Sequence, residues 1–324
     1  MRRVRYHSHG GPEVLAIEEA DIPEPGPGQV LIRTEAIGLN YVDVQLRRET
    51  SPDSIWFRAL PATLTGDVVG TVEKAGPEAD PALAGTRVAV LLEDACADYV
   101  LAATDWLAPV PAGLGAAAAS MLPTTGAVAL GALRTGRPGR DDVVLVTAGA
   151  GAIGHLAVQL ARQRGAGTVI ATAGSQAKLA LVKDLGADVA VDHTQPDWAD
   201  QVRSAAPGGV DVVLDAVGGE TLHRSLGLLA PFGRAVVFGA SAGTLTSVPV
   251  RNLFPLKTVS GFSLLAWRAA DPERARADIA ELADSFRSGG LRAVTETTLP
   301  LAEVVRAHRL LEDRSVLGRL LLVP

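Results

Sequence analysis

The stretch VVLVTAGAGAIG at residues 143–154 decides the fold, because a β-branched run leads through G-x-G-x-x-G into an amphipathic helix predicted over 155–164. A strand that turns on glycines into a helix exposes N–H groups that can hold a pyrophosphate. Gly149 is expected to allow the tight turn, Gly151 to let the backbone approach the phosphates, and Gly154 to let the helix pack on the strand. The motif alone is weak evidence in a chain with 34 glycines, but its strand and helix context predicts a dinucleotide site.

Composition limits the class of protein. A chain of 324 residues is long enough for about two domains, and 48% apolar residues argue against disorder. The net charge of −6 without a basic run argues against a nucleic-acid partner. The single cysteine, Cys96, excludes an intramolecular disulfide and a metal cage of several thiolates.

Targeting and membrane segments are not expected. The N-terminus is basic, but no apolar signal-peptide core follows it. Apolar stretches are interrupted by Pro, Gly, His or charged residues well before the roughly 18 residues that a membrane span needs. We therefore expect a cytoplasmic protein without membrane partners.

Secondary-structure patterns change along the chain. Residues 1 to about 118 show short β-rich runs with Pro and Gly between them, which favours a compact, barrel-like fold. Helices are then predicted over 116–121 and 127–133, and strands alternate with helices such as 177–185 and 219–229. This alternation predicts a doubly wound parallel sheet covered on both faces. Its six predicted strands are 143–146, 168–172, 189–191, 210–214, 235–238 and 258–261.

The last part of the chain is expected to return to the first domain. It shows a charged helix, a strand, a helix and a final strand, predicted at 272–287, 294–299, 302–312 and 317–323. The predicted division is a first domain of residues 1–118 completed by 264–324, and a nucleotide-binding domain of residues 119–263.

The end of the second sheet strand indicates which dinucleotide fits. An acidic residue about 20 positions after the glycines would bind a ribose hydroxyl and favour NAD. No acidic residue occurs from His155 through Lys183. Ser175 can donate a hydrogen bond and Lys178 can supply charge to a 2′-phosphate, so we predict NADPH over NADH. The alternative is that Lys178 is only a solvated helix residue.

Motifs along the whole chain identify a family. The sequence resembles the zinc-free quinone oxidoreductase, or zeta-crystallin-like, branch of the medium-chain dehydrogenase/reductases. The residues that carry this resemblance are GLNYVD at 38–43, DVVGTV at 67–72, ADYV at 97–100, the nucleotide segment at 148–162, LGAD at 185–188, VDVVLD at 210–215, GG at 218–219, GR at 233–234 and FG at 238–239.

The resemblance implies a GroES-like domain, a Rossmann domain, and hydride transfer from NADPH to a quinone or an α,β-unsaturated carbonyl. It also implies a homodimer whose last Rossmann strands pair near residues 258–261. Where zinc-dependent relatives carry a Cys and a Gly-His-Glu ligand motif, this chain has Asn40 and Thr65-Gly66-Asp67. Together with the single cysteine, this predicts that no metal is bound.

The resemblance also assigns cofactor contacts. Asn40 matches the family asparagine near the nicotinamide ribose and the substrate, although it could simply be a turn residue. His193 stands where the family often has a tyrosine beside the adenosine phosphate, or it is a plain surface histidine. Phe238, Gly239 and Ser241 follow the fifth strand at the carboxyl edge, where ligands bind, unless Phe238 is core. The pyrophosphate is expected on Gly149, Ala150, Gly151, Ala152, Ile153 and Gly154.

The substrate half departs from the family pattern. Two positions where relatives carry a tyrosine are Gln45 and Ser51 here. Tyr41 and Gln45 are the remaining candidates for a proton donor, although Tyr41 could instead pack in the core. An apolar substrate pocket is predicted from two further segments, and its aromatic members are Trp56, Phe262 and Trp267.

Two functions stay open. The first is a reductase with a specialised substrate, for example in a biosynthetic pathway. The second is an NADPH-binding protein with weak catalysis that senses redox state or acts through partners. Hydride transfer needs orientation of two ligands rather than a protein acid, so the missing tyrosines do not remove the chemistry.

Overall fold

A computed structural model describes residues 1–324 and divides the chain into two compact units. Unit 1 comprises Met1–Thr124 and Ile279–Pro324, and unit 2 comprises Thr125–Asp278. The chain changes unit later than the predicted boundaries after 118 and 263. At these boundaries the Thr124 hydroxyl donates to Asp67 within unit 1, and the Asp278 carboxylate pairs with Arg134 within unit 2.

The chain forms fifteen strands and ten α-helices in mixed order. The strands are β1 (Arg2–Tyr6), β2 (Leu15–Glu19), β3 (Gln29–Gly38), β4 (Gly66–Ala75), β5 (Arg87–Leu92), β6 (Tyr99–Ala103), β7 (Ala108–Pro109), β8 (Val143–Val146), β9 (Thr168–Ala173), β10 (Val189–Asp192), β11 (Val210–Asp215), β12 (Leu229–Val237), β13 (Thr258–Gly261), β14 (Thr297–Pro300) and β15 (Leu320–Val323). The helices are α1 (Val42–Arg48), α2 (Ala116–Ala119), α3 (Ala127–Gly136), α4 (Gly154–Gln163), α5 (Gln176–Asp184), α6 (Trp198–Ala205), α7 (Gly219–Leu228), α8 (Leu264–Ala270), α9 (Pro272–Arg287) and α10 (Val304–Glu312).

Unit 1 is built on a seven-stranded sheet of order β14-β15-β3-β4-β5-β7, with β6 also paired to β3. Its apolar residues, among them Ile32, Ile37 and Val68, are fully buried, and each contributes about 1.5–3 kcal/mol. The register places Gly38 on β3 opposite Asp67 on β4 and opposite Leu321 on β15. Three strands that are distant in the sequence therefore meet at one point of the sheet.

Unit 2 is a six-stranded, all-parallel sheet of order β10-β9-β8-β11-β12-β13. In chain order this is 3-2-1-4-5-6, the doubly wound order that the strand and helix alternation predicts. Leu145, Ile170 and Val213 are buried completely in its core. The strand order reverses between β8 and β11, and the carboxyl ends of these strands form the edge where such sheets bind ligands.

Most predicted elements are present with shifted ends. The strands at 143–146 and 258–261 and the helix at 272–287 match their predicted bounds. β12 begins at Leu229 rather than Ala235, because Phe232 takes a φ of +64° and the ladder with β11 is irregular there. β15 begins at Leu320 rather than 317, because Gly318 has a φ of +65° beside Val294.

Helix ends differ for local reasons. α10 begins at Val304 rather than 302, because a 3₁₀ turn covers Leu301–Glu303. α2 ends at Ala119 rather than 121, and a π-helical turn containing Pro123 follows over Leu122–Gly126. No helix has the length and apolar character needed to cross a membrane.

Candidate functional site

The nucleotide loop, defined as residues 147–154, connects β8 to α4 in unit 2. The residue that takes the left-handed conformation in this turn is Ala148, with a φ of +50°, and not one of the glycines. Gly149 is needed for space instead, since a Cβ there would lie 2.9 Å from the Cβ of Ala171 and 3.2 Å from Val182. A glycine is thus required at 149 because the loop packs closely on β9 and α5.

Gly154 and Gly151 have different surroundings. A Cβ on Gly154 would lie 2.2 Å from the carbonyl oxygen of Ala148 and 2.8 Å from the Cα of Gly149, so the start of α4 and the turn after β8 touch through bare backbone. A Cβ on Gly151 would meet only the Ala148 oxygen, at 3.3 Å. Gly151, Ala152 and Ile153 are half-buried. This side of the loop therefore leaves room for a ligand, although two first-turn N–H groups of α4 already have partners, since His155 donates to the Gly151 carbonyl and Leu156 to the Ile153 carbonyl.

Hydrogen bonds with residues of β9 and β11 hold the nucleotide loop in place. Thr172 accepts from the backbone of the loop, with its hydroxyl 3.2 Å from the Ala148 nitrogen and its carbonyl 2.8 Å from the Gly149 nitrogen. The hydroxyl of Thr147 lies 3.0 Å from Asp215, whose other oxygen accepts from the Gly218 nitrogen at 2.7 Å. Burial raises the pKa of Asp215, although these hydrogen bonds oppose the rise. The loop is thereby fixed before any ligand binds.

The turns after β9 and β10 bring together predicted cofactor contacts from different parts of the sequence. Ser175 is the N-cap of α5, and its hydroxyl accepts from the Lys178 nitrogen at 3.4 Å. His193 is exposed, and a Cβ on Gly174 would lie 3.1 Å from its Nε2, so the imidazole lies beside the turn that leads to Ser175. The first turn of α5 contains no acidic residue. Since helix N-termini favour anions, a phosphate fits at this position.

The segment after β12 lies on the loop that follows β11. Phe238 donates from its backbone to the Asp215 carbonyl at 3.0 Å, and Ser241 donates to the Ala216 carbonyl at 3.1 Å. A Cβ on Gly239 would lie 2.7 Å from that same Ala216 oxygen. Phe238 is half-buried, so it is not a core residue. These residues lie at the carboxyl edge of the sheet, which is where the sequence predicts them.

In unit 1, Asn40 belongs to a group of polar side chains that we call the Asn40 cluster: Asn40, Asp67, Thr124 and Arg319. The amide nitrogen of Asn40 lies 3.5 Å from Asp67 Oδ2, and the Thr124 hydroxyl lies 2.5 Å from Asp67 Oδ1. Arg319 forms an ion pair with Asp67, and both side chains are completely buried. Burial raises the pKa of Asp67, whereas the guanidinium of Arg319 and the donated hydrogen bonds lower it.

Two members of this cluster, Thr124 and Arg319, are not among the site residues predicted from the sequence. A signal for Arg319 exists, because a single arginine interrupts the apolar run Leu317 to Val323. A lone charged residue in a predicted strand calls for a buried partner. Its partner cannot be inferred locally, since Asp67 is 252 positions away in the sequence.

The helix that follows Asn40 carries the two predicted proton donors. Tyr41 directly precedes α1 and is half-buried, with the Arg314 guanidinium carbon 3.6 Å from its ring centroid, so it does not pack in the apolar core. Gln45 is half-buried one helical turn further on. On the other face, Asp43 is fully buried and accepts from the nitrogen and hydroxyl of Thr65 at 2.7 and 3.0 Å.

The residues of the predicted substrate pocket are distributed over the two units. Trp56 belongs to unit 1 and lies half-buried in a turn after Ser54. Phe262 and Trp267 belong to unit 2. The ring of Phe262 lies against α3, where a Cβ on Gly131 would be 2.1 Å from its Cζ, and the buried indole nitrogen of Trp267 has no hydrogen-bond partner.

Potential metal ligands are not gathered anywhere in the chain. No group of three or more His, Cys, Asp or Glu side chains is arranged to hold a metal ion. At the positions of the zinc-ligand motif, Gly66 has no ligating atom in its side chain and Asp67 is occupied by Arg319, Thr124 and Asn40.

Known families match both parts of the chain. The alcohol dehydrogenase GroES-like domain matches residues 26–129, and the zinc-binding dehydrogenase family matches residues 152–285. A 2-haloacrylate reductase of a Burkholderia species is 31% identical over 98% of this chain and 97% of its own length.

Solved structures share the whole fold. A mycobacterial protein complexed with NADPH has 34% sequence identity and a TM-score of 0.92, with 100% of both chains covered. The quinone oxidoreductase of Escherichia coli complexed with NADPH has 28% identity and a TM-score of 0.88, again over 100% of both chains. The chain therefore belongs to the medium-chain dehydrogenase/reductase superfamily, among the relatives of its quinone oxidoreductases.

Proposed function

We propose that the protein is an NADPH-dependent oxidoreductase that reduces a quinone or an α,β-unsaturated carbonyl compound without zinc. The observation that carries this proposal is the nucleotide loop, where Gly154 brings the α4 backbone against the turn and Gly151 leaves space above it. Relatives with quinone oxidoreductase and 2-haloacrylate reductase activity, and similar structures with bound NADPH, support it.

The residues of unit 2 fit the nucleotide. The pyrophosphate would contact residues 149–154, where backbone N–H groups can donate to its oxygens. The 2′-phosphate would lie at the α5 N-terminus, within reach of the Ser175 hydroxyl and the Lys178 ammonium group. His193 borders the same turn through Gly174, and Phe238, Gly239 and Ser241 complete the edge beside β11. When bound, NADPH supplies a hydride.

The residues of unit 1 would orient the nicotinamide ribose and the acceptor. Asn40 offers amide atoms for this role, and hydrogen bonds to the acceptor carbonyl stabilise the charge that develops on its oxygen, each by roughly 3 kcal/mol of barrier. Tyr41 and Gln45 are the side chains proposed to deliver a proton, and Trp56, Phe262 and Trp267 to line the apolar part of the pocket. Zinc is not required in this scheme, because Gly66 and Asp67 provide no open ligand set.

A weakly catalytic NADPH-binding sensor is the second candidate. The observation that favours it is the departure of the substrate half, where Gln45 and Ser51 replace tyrosines of the related enzymes. The cofactor half is the same in both proposals, so the two differ only in turnover.

Absorbance-monitored oxidation of NADPH and NADH tests the proposal. The acceptors are a simple quinone, a polycyclic ortho-quinone and a 2-alkenal, and nucleotide binding is titrated in parallel. NADPH-selective turnover of any acceptor supports the reductase. Tight NADPH binding without turnover favours the sensor, and failure to bind either nucleotide overturns both.

We also propose that two copies pair through β13, the edge strand of the unit 2 sheet. Only β12 is hydrogen-bonded to it, and large apolar side chains near it are exposed, including Phe232 at 72% and Phe254 at 76%. Exposed apolar surface beside an unpaired edge is typical of an interaction site. The test is the mass in solution by light scattering, with a dimer expected for the wild type and a monomer for Phe254→Asp. A monomeric wild type contradicts the proposal.

A further inference from the structure

The Arg319–Asp67 pair has no evident function as a source of stability. Both side chains are completely buried, and Arg319 has two further donors, Nε and Nη1, without partners. A buried ion pair is often no more stable than apolar residues of the same size, because removing both charges from water is costly. The presence of such a costly ion pair beside Asn40 indicates that the pair holds the geometry of this residue.

We propose that Arg319 is a positioning residue that, through Asp67, sets which way the side-chain amide of Asn40 faces. This inference deepens the proposed function, because it concerns the residue expected to contact the nicotinamide ribose and the acceptor. Arg319 does not itself contact a reacting atom in this proposal. Its effect passes through the carboxylate that it binds.

The hydrogen-bonding capacity of Asp67 determines which atom of the Asn40 amide can face it. An ionised carboxylate only accepts, so it must face the Nδ2 atom of Asn40 and not its Oδ1 atom. The observed contact is of this kind, Nδ2 to Asp67 Oδ2. The Thr124 hydroxyl occupies the second oxygen, which fixes the plane of the carboxylate. Asn40 Oδ1 is then left to accept from a ligand hydroxyl, and one N–H remains to donate.

A protonated Asp67 would lose this selectivity, because its O–H could donate to Asn40 Oδ1 and accommodate the flipped amide. Burial alone favours the protonated acid. The guanidinium of Arg319 opposes this, and it reaches Asp67 only because Gly38 lacks a side chain: a Cβ there would lie 2.1 Å from Arg319 Nε. At 3.5 Å the Asn40 contact is long, and ligand binding is expected to shorten it.

The test uses the side-chain amide signals of asparagine in nuclear magnetic resonance. The chain has only two asparagines, Asn40 and Asn252, so selective ¹⁵N labelling gives two side-chain amide groups and Asn252 serves as the internal reference. The cation in wild type and in Arg319→Lys opposes protonation of Asp67, so any titration of the Asn40 signals should lie at lower pH there than in Arg319→Gln. In Arg319→Gln they should shift and then titrate with Asp67, while the Asn252 signals stay in place.

A matched control is Arg47→Gln. Arg47 is also completely buried and paired with one carboxylate, Glu312, but it binds neither Asn40 nor Asp67. It should lose stability without moving the Asn40 signals. For turnover, Arg319→Gln should lower kcat by about 10- to 100-fold, as expected for a misplaced contact, whereas Arg319→Lys should recover most of it.

The outcomes separate this inference from the proposed function. Asn40 signals in folded Arg319→Gln that match wild type at every pH overturn it, even if the protein turns over NADPH. Asn40 signals that titrate in that variant support it, even if wild type binds no nucleotide and the proposed function fails. Should Arg319→Gln not fold, the double variant Asp67→Asn with Arg319→Gln removes both charges. There the Asn40 signals should differ from wild type without titrating, and identical signals overturn the inference.

Discussion

The nucleotide loop of unit 2 and the Asn40 cluster of unit 1 reach their geometry by different means. The loop is shaped by close backbone contacts between the Ala148 turn and α4, by glycines that make room for them, and by hydrogen bonds to Thr172. The cluster is assembled from side chains that follow β3, lie on β4, lie in the turn at Leu122–Gly126 and directly precede β15, with a buried ion pair at its centre. Substitutions should therefore act through steric overlap in unit 2 and through charge in unit 1.

The largest effect is expected from Asp67→Ala, which leaves Arg319 buried without a counter-charge. Such a loss costs about 3–5 kcal/mol of the free energy of unfolding, because the remaining charge is both desolvated and unpaired. Chemical denaturation measures it. The double variant Asp67→Leu with Arg319→Met should recover most of this free energy, since an apolar pair replaces the ions. Equal losses in the two variants would show that packing, and not charge, holds the cluster.

Next in size is Gly154→Ala in the nucleotide loop. Its Cβ would overlap the Ala148 oxygen at 2.2 Å, so the helix must move and the free energy of unfolding should fall by about 1–3 kcal/mol, with loss of NADPH binding. Gly151→Ala is the matched control, because its Cβ has only one neighbour at 3.3 Å. It should fold as stably as wild type and weaken only nucleotide binding. Normal binding by Gly154→Ala would contradict the steric account.

A pH effect on stability is expected from Asp43 in unit 1. Burial raises the pKa of Asp43 to about 7, against the hydrogen bonds from Thr65. Between about pH 4 and 7 the folded protein then holds a proton that the unfolded chain has released. This contribution to stability is complete below about pH 4 and is lost as the pH rises through about 7.

The contribution of Asp43 should thus fall by at most about 1.4 kcal/mol per pH unit in that window, and it is measured as the difference between wild type and Asp43→Asn, because buried His308, whose pKa is lowered to about 3, contributes a slope of the opposite sign. Urea denaturation at a series of pH values measures it. The matched control is Asp98→Asn: the Asp98 pKa is lowered by Arg2 against its partial burial, so its contribution is lost only at still lower pH. A slope that is the same in Asp43→Asn as in wild type would assign the titration to another group.

The smallest effect concerns the choice between nucleotides. Lys178→Gln should raise the Kd for NADPH by roughly tenfold, which corresponds to about 1.4 kcal/mol for a partly exposed charge-assisted contact, and should leave the Kd for NADH unchanged. Lys183→Gln, at the other end of α5, is the control that removes the same charge away from the phosphate. Equal effects of the two variants would mean that only long-range charge is involved.

The contrast between the nucleotide loop and the Asn40 cluster also explains which features the sequence predicts and which it does not. The six strands and the loop glycines of unit 2 follow from local patterns, because β-branched runs, glycines and helix periodicity act over short distances. The left-handed conformation of Ala148 does not follow from such patterns, because a positive φ is usual for glycine and uncommon for alanine. Local reasoning also placed Asn40 in the site, but only through the resemblance of its motif.

Partners that meet through strand pairing lie beyond such reasoning. Arg319 directly precedes β15 and is brought to Asp67 by the register of β15 with β3 and of β3 with β4, which depends on the whole core of unit 1. Thr124 reaches Asp67 from the turn at Leu122–Gly126, which belongs to no strand. The domain boundaries likewise depend on contacts between distant parts of the chain, which leave no trace in the local composition.

The most direct test of the account is a calorimetric titration of wild type and Gly151→Val with NADPH and NADH. The account predicts one site that prefers NADPH by at least about tenfold in wild type, and little binding in a folded Gly151→Val variant, because its side chain fills the approach to the loop. Equal affinity of the two proteins for NADPH, or no binding of either nucleotide to wild type, would contradict the assignment of residues 147–154 as the nucleotide site.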